Sequence, residues 1–156
     1  MEIRKPVRVS HSHVQTIDAD PDTIFPLYCP VREVEWAKGW EPRFVVSESG
    51  LVEKDCLFVT PSPHSDAIWV VTRHEPETHR VEMIKCIPGV VVTKLEIGLE
   101  PIEDHRTAAR ITYTHTSLSA EGDRFVREQT EDRYRELMRD WEREMSEYLA
   151  SAETSA

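Results

Sequence analysis

The sequence predicts an α+β domain in which a seven-stranded antiparallel curved sheet wraps around one long C-terminal helix. Three observations predict it. Apolar residues alternate with polar ones over Val7 to Asp18, and again in six segments between Pro42 and Leu118. The breaks between those six segments are short and turn-rich, with no helix-length stretch among them, so consecutive strands meander rather than cross over. From Ser119 to Leu149 the period changes to three and four, as one amphipathic helix requires.

The elements follow in order. In the first strand Val7, Val9, His11, His13, Gln15 and Ile17 share one side, and Arg8, Ser10, Ser12, Val14 and Thr16 the other. Asp20-Pro21 supplies an N-cap followed by proline at the first helical position. Ile24, Phe25, Leu27 and Tyr28 form the apolar face of that short helix, and Pro30 ends it. Val31 to Lys38 reads as a second short helix, closed by Gly39. The six strands then run over Pro42–Glu48, Asp55–Thr60, Ala67–His74, His79–Ile87, Val90–Leu99 and Thr107–Leu118. Ser49-Gly50, Pro61 to His64, Glu75 to Thr78, Pro88-Gly89 and Pro101 to Arg106 are the turns between them. Ser119 caps the last helix, with Gly122 a soft spot early in it. Its apolar stripe is Tyr134, Leu137, Met138, Trp141, Met145, Tyr148 and Leu149, and Arg and Glu fill the other faces. About 30 residues of helix span roughly 45 Å, long enough to cross a curved sheet.

Composition narrows the function. The 156 residues suit a single domain, with 1–6 and 150–156 expected as flexible tails. A net charge of −10 opposes nucleic acid and anionic membrane surfaces as partners, because binding phosphates draws on clustered Lys and Arg. The longest run without Asp, Glu, Lys or Arg, Cys56 to Ser65, is too short for a membrane span. The start has no apolar signal region, and Cys29, Cys56 and Cys86 form no C-x-x-C pair. A cytoplasmic chain with three reduced, gap-filling thiols is the expectation. No nucleophile elbow, P-loop, dinucleotide glycine fingerprint or H-E-x-x-H occurs, so no cofactor and no metal are expected.

Ile17-Asp18-Ala19-Asp20-Pro21-Asp22-Thr23-Ile24-Phe25 resembles the strand-to-helix entry of the START-like, or SRPBCC, helix-grip superfamily, which includes polyketide cyclase/dehydrases and the Aha-type co-chaperone domain. Trp36 and Trp40 before the second strand, the segment Thr72 to Val81 as a hairpin, and the last helix with Trp141 are similar to its later elements. The resemblance covers about Val7 to Leu149 and implies a cavity for apolar or amphipathic small molecules between sheet and helix, without one chemistry.

In that fold the first and last strands are neighbours, which would gather His11, His13, Tyr113 and His115 on the inner wall. Gln15, Trp69, Val71, Met83, Leu95, Ile97, Met138 and Trp141 complete the candidate ligand wall. An enclosed cavity of about 300–1,000 Å³ touching His13, Tyr113 and Trp69 is expected. His13, His115 and Tyr113 are the candidate acid–base residues if the chain is an aromatase, cyclase or dehydratase. A plain polar core that bonds only itself or trapped water is the bland alternative, and H-x-H as a metal site is weak. A co-chaperone-like interaction module would instead show a filled interior and an apolar surface patch. The expected partner is a small hydrophobic molecule, lipid or polyketide-like, with a homodimer left open. Trp69 and Val71 compete with Ile68 and Val70 for the inner face, and Arg73 would follow Trp69 inward by parity. Trp36 and Trp40 would gate the mouth or pack the core, and His64 and His105 read as exposed turn histidines.

Overall fold

The computed structural model describes residues 1–155. Strands β1 (Arg8–Ile17), β2 (Phe44–Val46), β3 (Leu57–Thr60), β4 (Ala67–Glu75), β5 (Arg80–Ile87), β6 (Val91–Ile102) and β7 (Arg106–Ser117) form one sheet in the order β1-β7-β6-β5-β4-β3-β2. Every pairing is antiparallel, and β1 joins β7 as the strand order requires. Helix α1 (Pro21–Ile24) and two 3-10 turns, Phe25–Leu27 and Arg32–Glu35, bridge β1 to β2, and α2 (Ala120–Glu128) and α3 (Glu131–Thr154) follow β7.

Alternation sets the inner face. Gln15 and Ile17 of β1 are buried while Val14 and Thr16 are exposed, and Ile111, Tyr113 and His115 of β7 are buried. Thr93, Leu95, Ile97 and Leu99 of β6 and Val81 and Met83 of β5 face the same core. Tyr134, Met138 and Met145 of α3 cover it. Trp69 and Val71 take the inner side of β4, with Ile68 exposed. A bulge between Val71 and Arg73 then reverses the parity. Arg73 points outward and pairs with Glu75 at 2.8 Å, so the inward Arg73 is corrected, and His74 turns in to stack on Phe25 at 5.5 Å.

The terminal helix is two helices, not one. At Gln129-Thr130 the hydroxyl of Thr130 accepts from Arg133 N and caps α3, while the freed Gln129 carbonyl accepts from His11 Nε2 at 2.7 Å. The break lets α2 pack on β7 while α3 packs on β1. Leu137, expected on the buried stripe, is exposed. The helix runs on to Thr154, so only the end of the expected tail lies beyond it, and residue 156 is outside the described residues. At the other end Arg4 is held by Asp123 at 3.1 Å.

Other departures are local. Val31 to Lys38 holds a 3-10 turn rather than an α-helix, although Gly39 closes it with φ +77°. Asp20 sits at the N-cap of α1, but its carboxylate pairs with His105 at 3.2 Å instead of capping. Gly122 is no soft spot: a Cβ there would run into the Val90 carbonyl and approach Ser117 Oγ to 2.7 Å, so glycine is what lets α2 lie on the β5–β6 turn. Cys29 and Cys56 are buried and all three thiols are free. Among the described residues no helix is long and apolar enough to cross a membrane. The outer face of β2, β3 and β4 exposes Phe44, Val46, Leu57 and Ile68.

Candidate functional site

Cross-strand register arranges the inner wall in rows. Trp69, Lys85, Thr93, His115 and Val9 lie opposite one another across β4, β5, β6, β7 and β1. Val71, Met83, Leu95, Tyr113 and His11 form the next row, and His74, Val81, Ile97, Ile111 and His13 the one after. The three histidines and the tyrosine expected on adjoining strands fall in these adjoining rows, with Tyr113 and His115 stacked at 5.8 Å.

Their environments differ. His115 Nδ1 lies 2.7 Å from Thr93 Oγ1, and Phe125 of α2 meets its ring edge-on at 5.8 Å. Burial, then the neighbouring Lys85 and His11 charges, push His115 down to about 4, so the imidazole is neutral at neutral pH. His11 is occupied by the Gln129 carbonyl and stacks on Tyr134 at 5.5 Å, which makes it a clasp for the helix break. His13 is half-buried opposite Ile111. Gln15 is occupied as well: its amide donates to the Met138 carbonyl at 2.8 Å and accepts from the Tyr28 hydroxyl at 3.4 Å. Tyr134 donates to the Ile111 carbonyl.

Aromatic rings fill much of the interior. Trp69 stacks on Phe58 at 5.1 Å, donates to Thr60 Oγ1 at 3.0 Å and meets Trp40 at 6.1 Å. Trp36 is buried against Tyr28 and Trp141 and donates to the Leu27 carbonyl at 3.0 Å, which is core packing. Trp40, partly buried, donates to the Pro30 carbonyl at 2.8 Å. Tyr113 also meets Tyr134 at 5.8 Å and Trp141 at 6.4 Å. Val71, Met83, Leu95, Ile97 and Met138 are buried apolar wall as expected, and Trp141 is half-buried.

Two ionisable residues that the sequence reading missed face this interior. Glu33, on the 3-10 turn after Pro30, is 7% exposed, and no side-chain partner is found for it among the described residues. Burial pushes its carboxyl up to about 8; burial also raises Tyr28 and Tyr113, and the Glu33 charge adds to both shifts. Lys85 turns inward with Val81 and Met83, its Nζ 5.2 Å from the centre of the Trp69 ring, and burial pushes it below the usual lysine value. Among the described residues no sealed polar side-chain atom lacks a partner, so the Glu33 carboxyl, the Lys85 amine and the Tyr113 hydroxyl border space that water reaches. Parity with Met83 could have found Lys85; nothing in the charged run around Glu33 marked it.

Concave surface lies elsewhere. An open groove of about 740 Å³ crosses the outer face between Val14, Arg73, Glu82, Glu96, Arg110 and Thr112. Smaller ones of about 390 and 320 Å³ sit by Lys54 and His74 and by Val34 and Tyr148. None touches His13, Tyr113 or Trp69, so the expected enclosed cavity is not among these three. His64 holds Glu121 at 2.6 Å and His105 holds Asp20, both as exposed turn residues.

No family model and no curated protein matches the sequence. Solved structures do. A point mutant of norcoclaurine synthase from Thalictrum flavum, in complex with a transition-state analogue, superposes with a TM-score of 0.70 at 11% identity, covering 97% of this chain and 99% of its own. A protein from Rhizobium leguminosarum gives 0.65 at 10% identity over 96% and 99%. Ara h 8.0201 gives 0.61 at 9% identity over 92% and 99%. Strand order, the short helices between β1 and β2, the C-terminal helix across the sheet and these superpositions together give the chain a helix-grip fold.

Proposed function

We propose that this protein binds a small hydrophobic or amphipathic molecule between its sheet and α3. The apolar body lies on Val71, Met83, Leu95, Ile97 and Met138, and the polar group meets Tyr113 and His115. The carrying observation is that Glu33, Lys85 and the Tyr113 hydroxyl face an apolar interior without partners among the described residues. Groups so placed meet water instead of a protein partner, and a ligand's polar group can take that water's place. Half-buried Trp141 and Phe125 are the side chains that swing aside to admit it. Native mass spectrometry of the full chain with nonyl alcohol tests the reading. A saturable one-to-one complex is expected, and only free chain at every concentration contradicts it.

One observation favours a second reading, acid–base catalysis on the bound molecule. Burial pushes Glu33 up and His115 down, so at neutral pH one keeps its proton while the other lacks one. A cyclase or dehydratase needs such a pair, with Tyr113 as hydrogen-bond donor and His13 as the further histidine. Its mark is turnover that collapses in His115→Ala or His13→Ala while the circular dichroism is unchanged.

A further inference from the structure

We propose that Lys85 captures an apolar aldehyde or ketone as an imine on the inner wall, beside Thr93 and His115. This rests on the binding reading above and names a chemical class for the ligand. Among the described residues no carboxylate lies within ion-pair reach of Lys85; its Nζ has only the Trp69 ring face at 5.2 Å. Three of the other four lysines hold carboxylates: Lys38 with Glu147 at 3.7 Å, Lys54 with Asp55 at 3.8 Å and Lys94 with Glu96 at 3.6 Å. Lys5 is exposed near the N-terminus. Lys85 is thus the lysine set among apolar groups, and its register neighbours, Trp69 and Thr93, put it one strand from the His115–Thr93 hydrogen bond.

The chemistry fits this setting. Burial shifts Lys85 toward the free amine, the form that attacks a carbonyl carbon. The amine lone pair forms the C–N bond and the carbonyl π pair moves to oxygen. The nitrogen sheds a proton and the oxygen gains one, with the neutral His115 ring as the carrier. The nitrogen lone pair then closes the C=N bond as the hydroxyl leaves with a second proton as water, and the nitrogen gives up its remaining proton to balance it. Amine and aldehyde become imine and water, with no oxidant or reductant. The chain of the aldehyde would lie along the stacked Trp69 and Phe58 rings. A carboxylate ligand is the poorer match, because it needs the ammonium form that burial disfavours.

The test uses the full chain with nonanal and cyanoborohydride, which reduces an imine to a stable secondary amine, followed by peptide mapping. Alkylation at Lys85 is expected about ten-fold faster than at Lys5, Lys38, Lys54 or Lys94, and Lys85→Met lowers total labelling to the level of those lysines. Even labelling of all the lysines, or an unlabelled Lys85, overturns the proposal, with or without a folded variant. So does nonanoate binding that depends on Lys85, which would make it a salt-bridge site. A parallel titration with nonyl alcohol, which forms no imine, separates the two readings. Alcohol binding without a Lys85 adduct overturns the imine alone; neither alcohol binding nor adduct overturns both.

Discussion

Gly122→Ala is expected to lower unfolding stability by about 2–3 kcal/mol, the range for forcing atoms into a packed site. The added carbon meets the Val90 carbonyl, which cannot yield easily because it already accepts from Leu118 N at 2.8 Å. On its other side stands Ser117 Oγ, which donates to the Ser119 carbonyl at 2.8 Å just before the Ser119 cap of α2. The helix must lift off the sheet or lose these bonds. Gly98→Ala is the control: no atom lies within 4 Å of a Cβ there, and the change stays within about 0.5 kcal/mol. Urea unfolding of both variants measures the difference. Equal midpoints would mean that α2 does not approach the β5–β6 turn this closely. Since α2 carries Phe125 against His115, the same lift would also loosen one end of the proposed site.

Glu33 is expected to dominate the fall of stability as pH rises from about 4.5 to about 8. Its carboxyl ionises near 4.5 in the unfolded chain and near 8 in the fold, so the folded state holds the proton longer. Its contribution is fully present below pH 4.5 and is lost as pH rises toward 8, a penalty on the order of 3 kcal/mol by pH 7. His115 acts on the other limb. Its pKa drops from 6.5 to about 4, so stability is full above 6.5 and is lost as pH falls toward 4. Glu33→Gln keeps the shape of the neutral side chain and removes the ionisation. The variant should match the wild type near pH 5 and exceed it at pH 8. A stability difference between the two that does not change with pH contradicts the buried, unpartnered placement of Glu33.

Much of this architecture is legible because side-chain period and burial coincide. In β1 and β7 the alternation of Val9, His11, His13 and Gln15 with serine and threonine fixes both the facing and the meeting of Tyr113 with His115. Legibility ends where the backbone breaks period without a proline or glycine to mark it. The bulge in β4 falls between Val71 and Arg73, where Thr72 and Arg73 are both polar and both exposed, so the lost alternation leaves no trace in hydrophobicity. The helix break falls at Gln129-Thr130 in a run already rich in charge, and its stabiliser, His11, comes from the far end of the chain. Glu33 follows Arg32 and precedes Glu35 by two residues, so it reads as part of a solvated turn, yet it is buried there. How far the rings of Trp69, Tyr113 and Trp141 fill the interior depends on side-chain directions that spacing does not encode.

The four methionines offer a direct reading of the interior, since Met83 and Met138 stand on opposite walls of the proposed site, Met145 lies farther along α3 and Met1 is exposed. Methyl-labelled methionine followed by NMR during titration with nonyl alcohol should shift the Met83 and Met138 signals together, to saturation, while Met1 stays fixed. Movement of Met1 alone, or no movement at any concentration, would mean that the space between sheet and helix admits no guest.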